Sequence, residues 1–168
     1  VGCGTGYVQD KLKQKIVGID ITFDMLKKNK NLVVCSNAQF LTFKSDTFDL
    51  VYSINLIEHV DNPLMVIKEC KRVLKKNGTI ILITPNGEMK FALDAAEKAN
   101  LKLPEGPHKF LKLKELKRLF NETGLQILST QKFVLLPKEF GLISRISENL
   151  ERILPHFCFF ISIIGSKN

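Results

Sequence analysis

A chain of 168 residues with 45% hydrophobic and 25% charged residues is long enough for one domain around a buried core, and its composition excludes a disordered or fibrous protein. The net charge of +8 is spread over Lys11–Lys15, Lys27–Lys30, Lys68–Lys76 and Lys109–Arg118, so it reads as solvated helix faces, with an anionic partner as the alternative. The cysteines Cys3, Cys35, Cys70 and Cys158 stand far apart without a C-x-x-C pair, which argues against a zinc site or a disulfide framework and fits a reducing cytoplasm.

The chain opens on Val1-Gly2-Cys3-Gly4-Thr5-Gly6, a glycine turn that lets the backbone bend sharply and meet a ligand without Cβ clashes. An apolar run, Lys15–Asp20, follows and closes on a carboxylate eighteen positions after Gly2. A carboxylate at a strand tip can accept both hydroxyls of a ribose, so turn and acid together read as a nucleoside site. The spacing is G-x-G-x-G, whereas the dinucleotide fingerprint is G-x-G-x-x-G around a pyrophosphate. Position 7 is Tyr, which argues for a ligand without a pyrophosphate. Asp20 has a second reading, as a cap for a helix starting near Phe23, a role that Thr22 and Asp24 also suit.

Further strands are predicted over Leu32–Ser36, Phe48–Ile54 and Thr79–Thr84, separated by segments of helical period; the alternation predicts a parallel sheet covered by helices. Ser53, Ile54 and Asn55 end the second of these strands, where open α/β sheets bind ligands. Pro63 starts a helix whose face Val66, Ile67, Cys70, Val73 and Leu74 is apolar, with Gly78 expected as its left-handed stop. Residues 87–110 are less regular, with a helix around Phe91–Ala99 and a turn at Pro104-Glu105-Gly106-Pro107, and are expected to form a substrate-facing insertion. A helix over Lys112–Thr123 ending at Gly124, a strand near Leu125–Thr130, a helix over Leu142–Leu154 and a last strand over Phe157–Ile164 complete one domain over 1–168. The apolar run Phe157–Gly165 is too short to span a bilayer.

In its motifs the chain resembles the class I S-adenosylmethionine-dependent methyltransferases of the small-molecule branch that includes quinone-biosynthesis enzymes. The resemblance rests on Val1–Gly6, Asp20, Phe48-Asp49-Leu50-Val51, Leu56-Ile57-Glu58-His59-Val60, Arg72–Gly78 and Thr84-Pro85-Asn86, in register over the first half of the chain. It implies a Rossmann-like, doubly wound, mostly parallel sheet with an antiparallel last strand, and S-adenosyl-L-methionine as cofactor. The methionine part is expected at Gly2, Cys3, Gly4 and Gly6, the ribose at Asp20, and the adenine on Ile21 and beside Asn37-Ala38. Position 37 departs from the family's usual acid, and a solvent-facing loop asparagine is the other reading. Ser53, Ile54 and Asn55 are expected near the transferable methyl group. The family places the glycine motif after a first, central strand of which only Val1 is present, so the chain is expected to be an N-terminally truncated fragment.

Methyl transfer to oxygen or nitrogen is an in-line displacement that needs alignment, apolar walls and a base for the acceptor's proton. His59 and His108 are the candidate bases; the other readings are a helix-orienting hydrogen bond for His59 and an exposed loop position for His108. No N-P-P-Y-like tetrad and no Pro-Cys nucleophile is present, and Cys35 and Cys70 fall in predicted core elements, so nucleic-acid bases are not expected acceptors. A small-molecule or lipid-like acceptor is expected, methylated at oxygen. Two rivals remain at this point, a nicotinamide oxidoreductase and a catalytically silent module that keeps the cofactor pocket.

Overall fold

The computed structural model of the chain describes residues 1–12, 15–91, 109–133 and 158–168. His108, the helices expected around Phe91–Ala99 and over Leu142–Leu154, and the Pro104–Pro107 turn lie wholly or almost wholly outside the described residues. Among those described the order is α1 (Tyr7–Leu12), β1 (Gly18–Asp20), α2 (Phe23–Leu26), β2 (Val33–Cys35), β3 (Phe48–Ile54), α3 (Pro63–Val73), β4 (Leu74–Pro85), α4 (Leu113–Thr123), β5 (Gln126–Phe133) and β6 (Phe160–Ser166). Single 3-10 turns at Ile57–His59 and Gly87–Met89 follow β3 and β4.

β1 pairs with β2 in parallel, and β3 pairs with β4 in parallel. β6 inserts antiparallel between β4 and β5, giving the order β3-β4-β6-β5. The fold is therefore an α/β sheet, mostly parallel on the site side, with an antiparallel last strand. Residues 1–3 lie where the two sheets meet: the Val1 nitrogen donates to Tyr52 O at 2.7 Å and the Cys3 N–H donates to Ile19 O at 2.8 Å. Below them a cavity of about 290 Å³ runs between β1 and β3, walled by Ile16, Ile19, Leu41, Phe48, Val51 and Val73 among others.

α3 forms because Asn62 caps it, accepting the Met65 N–H through its side chain at 3.2 Å, and because Pro63 sits in the first turn where no donor is needed. Its buried face is Val66, Ile67, Cys70 and Val73. The helix stops at Val73, with Leu74 already extended, and the left-handed residue is Asn77 (φ 63) and not Gly78. Two contacts explain the early stop. Leu74 is drawn into register opposite Phe48, and the Lys167 ammonium takes the Leu74 carbonyl at 2.7 Å. Gly78 is required for a different reason, since a Cβ there would stand 2.8 Å from the Lys75 carbonyl.

α4 is closed at its start by Glu115, whose carboxylate accepts the Lys112 N–H at 2.7 Å, and at its end by Gly124 at φ 66. Lys71 of α3 reaches the freed carbonyls of Thr123 and Gly124 at 2.6 and 3.0 Å, which ties the two helices together. The core beneath them joins Ile67, Cys70 and Leu74 to Leu116, Phe120, Ile161 and Ile163. Burial of about ten such aliphatic and aromatic side chains, at roughly 1.5–3 kcal/mol each, is the main favourable term in folding. The final strand runs over Phe160–Ser166, displaced toward the carboxyl end from the expected Phe157–Ile164.

Candidate cofactor site

The glycine turn leaves the sheet with Gly2, Gly4 and Gly6 at φ 71, 49 and 89, a left-handed run that side chains with a Cβ resist. At Gly6 a Cβ would collide with the Asn29 amide, while at Gly4 it would meet nothing within 4 Å, so the turn is packed behind and open in front. Asn29 is 8% exposed and organises the rear: its Nδ2 donates to Gln9 Oε1 at 2.9 Å and to Gly4 O at 3.3 Å, and its Oδ1 accepts the Asn31 N–H at 2.9 Å.

Asp20 ends β1 opposite the turn. Its Oδ2 accepts the Gly4 N–H at 2.8 Å and its Oδ1 accepts the Thr22 N–H at 2.9 Å. Thr22 is the residue at the N-cap of α2 and makes no side-chain capping bond, so Asp20 serves that corner as well as the glycine turn. Each carboxylate oxygen keeps a further lone pair, enough for two ribose hydroxyls. Burial, followed by the nearby Asp20 charge, pushes the Cys3 thiol up, so it stands neutral beside the turn.

A cavity of about 210 Å³ at the carboxyl ends of β1 and β2 is lined by Gly2, Asp20, Ile21, Asn37, Ala38 and His59, with Gln39, Leu56, Val60 and Asp61 among its other walls. Ile21 is 66% exposed at its edge, an apolar surface free to take a flat ring. Asn37 spends its Oδ1 on the Gln39 N–H at 2.9 Å. Ser53, Ile54 and Asn55 do not line this cavity; Ser53 is buried, and Asn55 sits at φ 50 with its N–H donated to Ile83 O. His59 lies with Nε2 4.0 Å from Oε1 of Glu58. Glu58 itself is 1% exposed and its Oε2 accepts the Thr84 hydroxyl at 2.9 Å. Among the described residues no group of three or more His, Cys, Asp or Glu side chains is placed to hold a metal ion, and no helix is long and apolar enough to cross a membrane.

These residues suit an adenosyl ligand: an open, Cβ-free turn, a carboxylate with spare lone pairs, and an apolar face beyond it. Sequence reasoning did not reach Asn29, Gln9, Gln39 or Asp61, and named Leu56 and Val60 only as part of a motif. Asn29 is visible only through the fold, because it acts over twenty-five positions on Gly4. The expectation that Cys35 lies in the core is corrected, since it is exposed, whereas Cys70 is buried as expected.

A parallel α/β sheet with a glycine turn and a strand-tip carboxylate around one cavity defines a nucleoside-binding class. Comparison with known proteins narrows it. The methyltransferase domain family matches residues 1–82. An uncharacterized protein of Methanocaldococcus jannaschii is 40% identical over 88 residues, covering 51% of this chain and 39% of its own length. The ubiquinone biosynthesis O-methyltransferase of Aliivibrio fischeri is 28% identical over 145 residues, covering 75% of this chain and 62% of its own length. The chain thus spans less than two thirds of these relatives. A solved S-adenosylmethionine-dependent methyltransferase of Thermotoga maritima, described as a possible histamine N-methyltransferase, shares the fold with a TM-score of 0.75 at 24% identity, covering 100% of this chain and 80% of its own. Residues 1–82 thus match the methyltransferase domain family, and the whole chain is similar to class I S-adenosylmethionine-dependent methyltransferases, enzymes whose cofactor is S-adenosyl-L-methionine.

Proposed function

We propose that the protein transfers a methyl group from S-adenosylmethionine to an oxygen of a small-molecule or lipid-like acceptor. The observation that carries this reading is the placement of Asp20 across the glycine turn from Gly4, on a cavity shared with Ile21 and Ala38. Bound there, S-adenosylmethionine supplies a methyl carbon on a sulfonium, open to in-line attack by an acceptor oxygen. Asp20 would hold the ribose hydroxyls, the open face of Gly4 would admit the methionine part, and Ile21 would pack on the adenine. His59, on the same cavity, would orient the ligand or take the acceptor's proton, and His108 is proposed for the acceptor side. The choice of oxygen is favoured by relatives named ubiquinone biosynthesis O-methyltransferases.

The test is incubation of the protein with methyl-labelled S-adenosylmethionine and a panel of phenols, catechols and carboxylates, with product S-adenosylhomocysteine measured. Labelled ethers or esters support the reading. Transfer only to amines would overturn the oxygen assignment, and tight cofactor binding without product on a broad metabolite extract would favour a silent cofactor-binding module.

A further inference from the structure

The adenine end of the cavity lacks the charge that its chemistry calls for. An adenine is recognised through its exocyclic amine, a donor that a carboxylate accepts more strongly than an amide does. Asn37 stands at that end without charge, and its amide oxygen already accepts the Gln39 N–H. The carboxylates that line the cavity are Asp20 and Asp61. Asp20 is committed to the glycine turn and the Thr22 corner through both oxygens. Asp61 forms no hydrogen bond or ion pair among the described residues, and it lies on the loop between the 3-10 turn at Ile57–His59 and α3. That loop is fixed beside the Asn37–Gln39 loop, because Gln39 Oε1 accepts the Asn62 N–H at 3.0 Å. The unpaired Asp61 thereby lines the same cavity as the uncharged Asn37, on a loop tied to the Asn37–Gln39 loop.

We infer that Asp61 accepts the exocyclic amine of the adenine and so selects adenosine over nucleosides that carry a carbonyl at that position. The inference rests on the cofactor reading above and adds a residue that sets base specificity. An inosine base presents an oxygen acceptor where adenosine presents an amine donor, and an acceptor facing the Asp61 carboxylate would be repelled.

The experiment titrates S-adenosylhomocysteine and S-inosylhomocysteine into the protein and into Asp61→Asn. The natural chain should bind the adenosine compound at least about tenfold more tightly than the inosine compound. In Asp61→Asn the ratio should fall to within about threefold, because the amide can present its NH2 to the inosine oxygen or its oxygen to the adenosine amine. A merely structural role would weaken both ligands alike and leave the ratio unchanged, which would overturn the inference. Loss of the ratio in Asn37→Ala with its retention in Asp61→Asn would overturn it in favour of Asn37. Failure of the natural protein to bind either compound would defeat the cofactor reading itself, and is thereby distinguishable from a wrong residue assignment.

Discussion

The Asp20 carboxylate accepts the Gly4 N–H at 2.8 Å across sixteen residues of sequence, so the strand-tip acid and the glycine turn are one device. The second oxygen, on the Thr22 N–H at 2.9 Å, anchors the same side chain from the other side. In the proposed cofactor role, ligand affinity and local order are therefore coupled at this residue. Asp20→Asn keeps size but turns one oxygen into an NH2 group facing a backbone donor. It should lose about 1–3 kcal/mol of stability even without ligand. Urea unfolding of the two proteins checks this, and an unchanged midpoint and slope would show that the two backbone bonds contribute nothing.

Gly6 and Asn29 make the second prediction. A residue with a Cβ at Gly6 must hold φ 89 and displace the Asn29 amide. The left-handed conformation alone costs roughly 1–2 kcal/mol. Gly6→Ala should lower the melting temperature, and adding Asn29→Ala should cost less in that background than it does in the natural chain, where it removes the support of Gly4 O. A double-mutant cycle measures this; strictly additive losses would separate the two residues.

Acid should weaken the loop that precedes β3. Glu69 accepts from Arg72 Nε and Nη2 at 2.7 and 2.8 Å and from the Leu41 N–H at 2.7 Å, while Arg72 also donates to Leu41 O and Phe43 O at 2.8 Å each. The Arg72 hydrogen bonds hold the Glu69 carboxyl below its ordinary value of 4.5. A lowered folded value means that the carboxylate's contribution is complete above about pH 4.5 and is lost as pH falls through the folded value. Glu69→Gln should thus reduce stability near neutrality and flatten its fall below about pH 4.5. Chemical unfolding across pH 3–7 reads this out, and parallel curves for both proteins would rule Glu69 out as the titrating group.

How much of this was legible in sequence follows from how local each signal is. The glycine turn, Asp20, the α3 face and the Gly124 stop depend on near neighbours and were readable. The Gly78 stop misled because the end of α3 is set by distant partners, Phe48 and Lys167, which draw Leu74 into the sheet. Asn29 and Asp61 were missed for the same reason: each gains its place in the site from a loop far along the chain. Cys35 was misplaced because β2 pairs only with β1 among the described residues, leaving that strand partly exposed.

Calorimetric titration of S-adenosylhomocysteine into the protein and into Asp20→Ala tests the central claim, that the Gly4–Asp20 corner is a cofactor site. One ligand per chain should bind the natural protein, with affinity at least about tenfold weaker in Asp20→Ala, as expected for loss of charge-assisted hydrogen bonds to ribose. Folded protein that gives no binding heat with S-adenosylhomocysteine at any temperature tried, yet binds a nicotinamide dinucleotide, would contradict it.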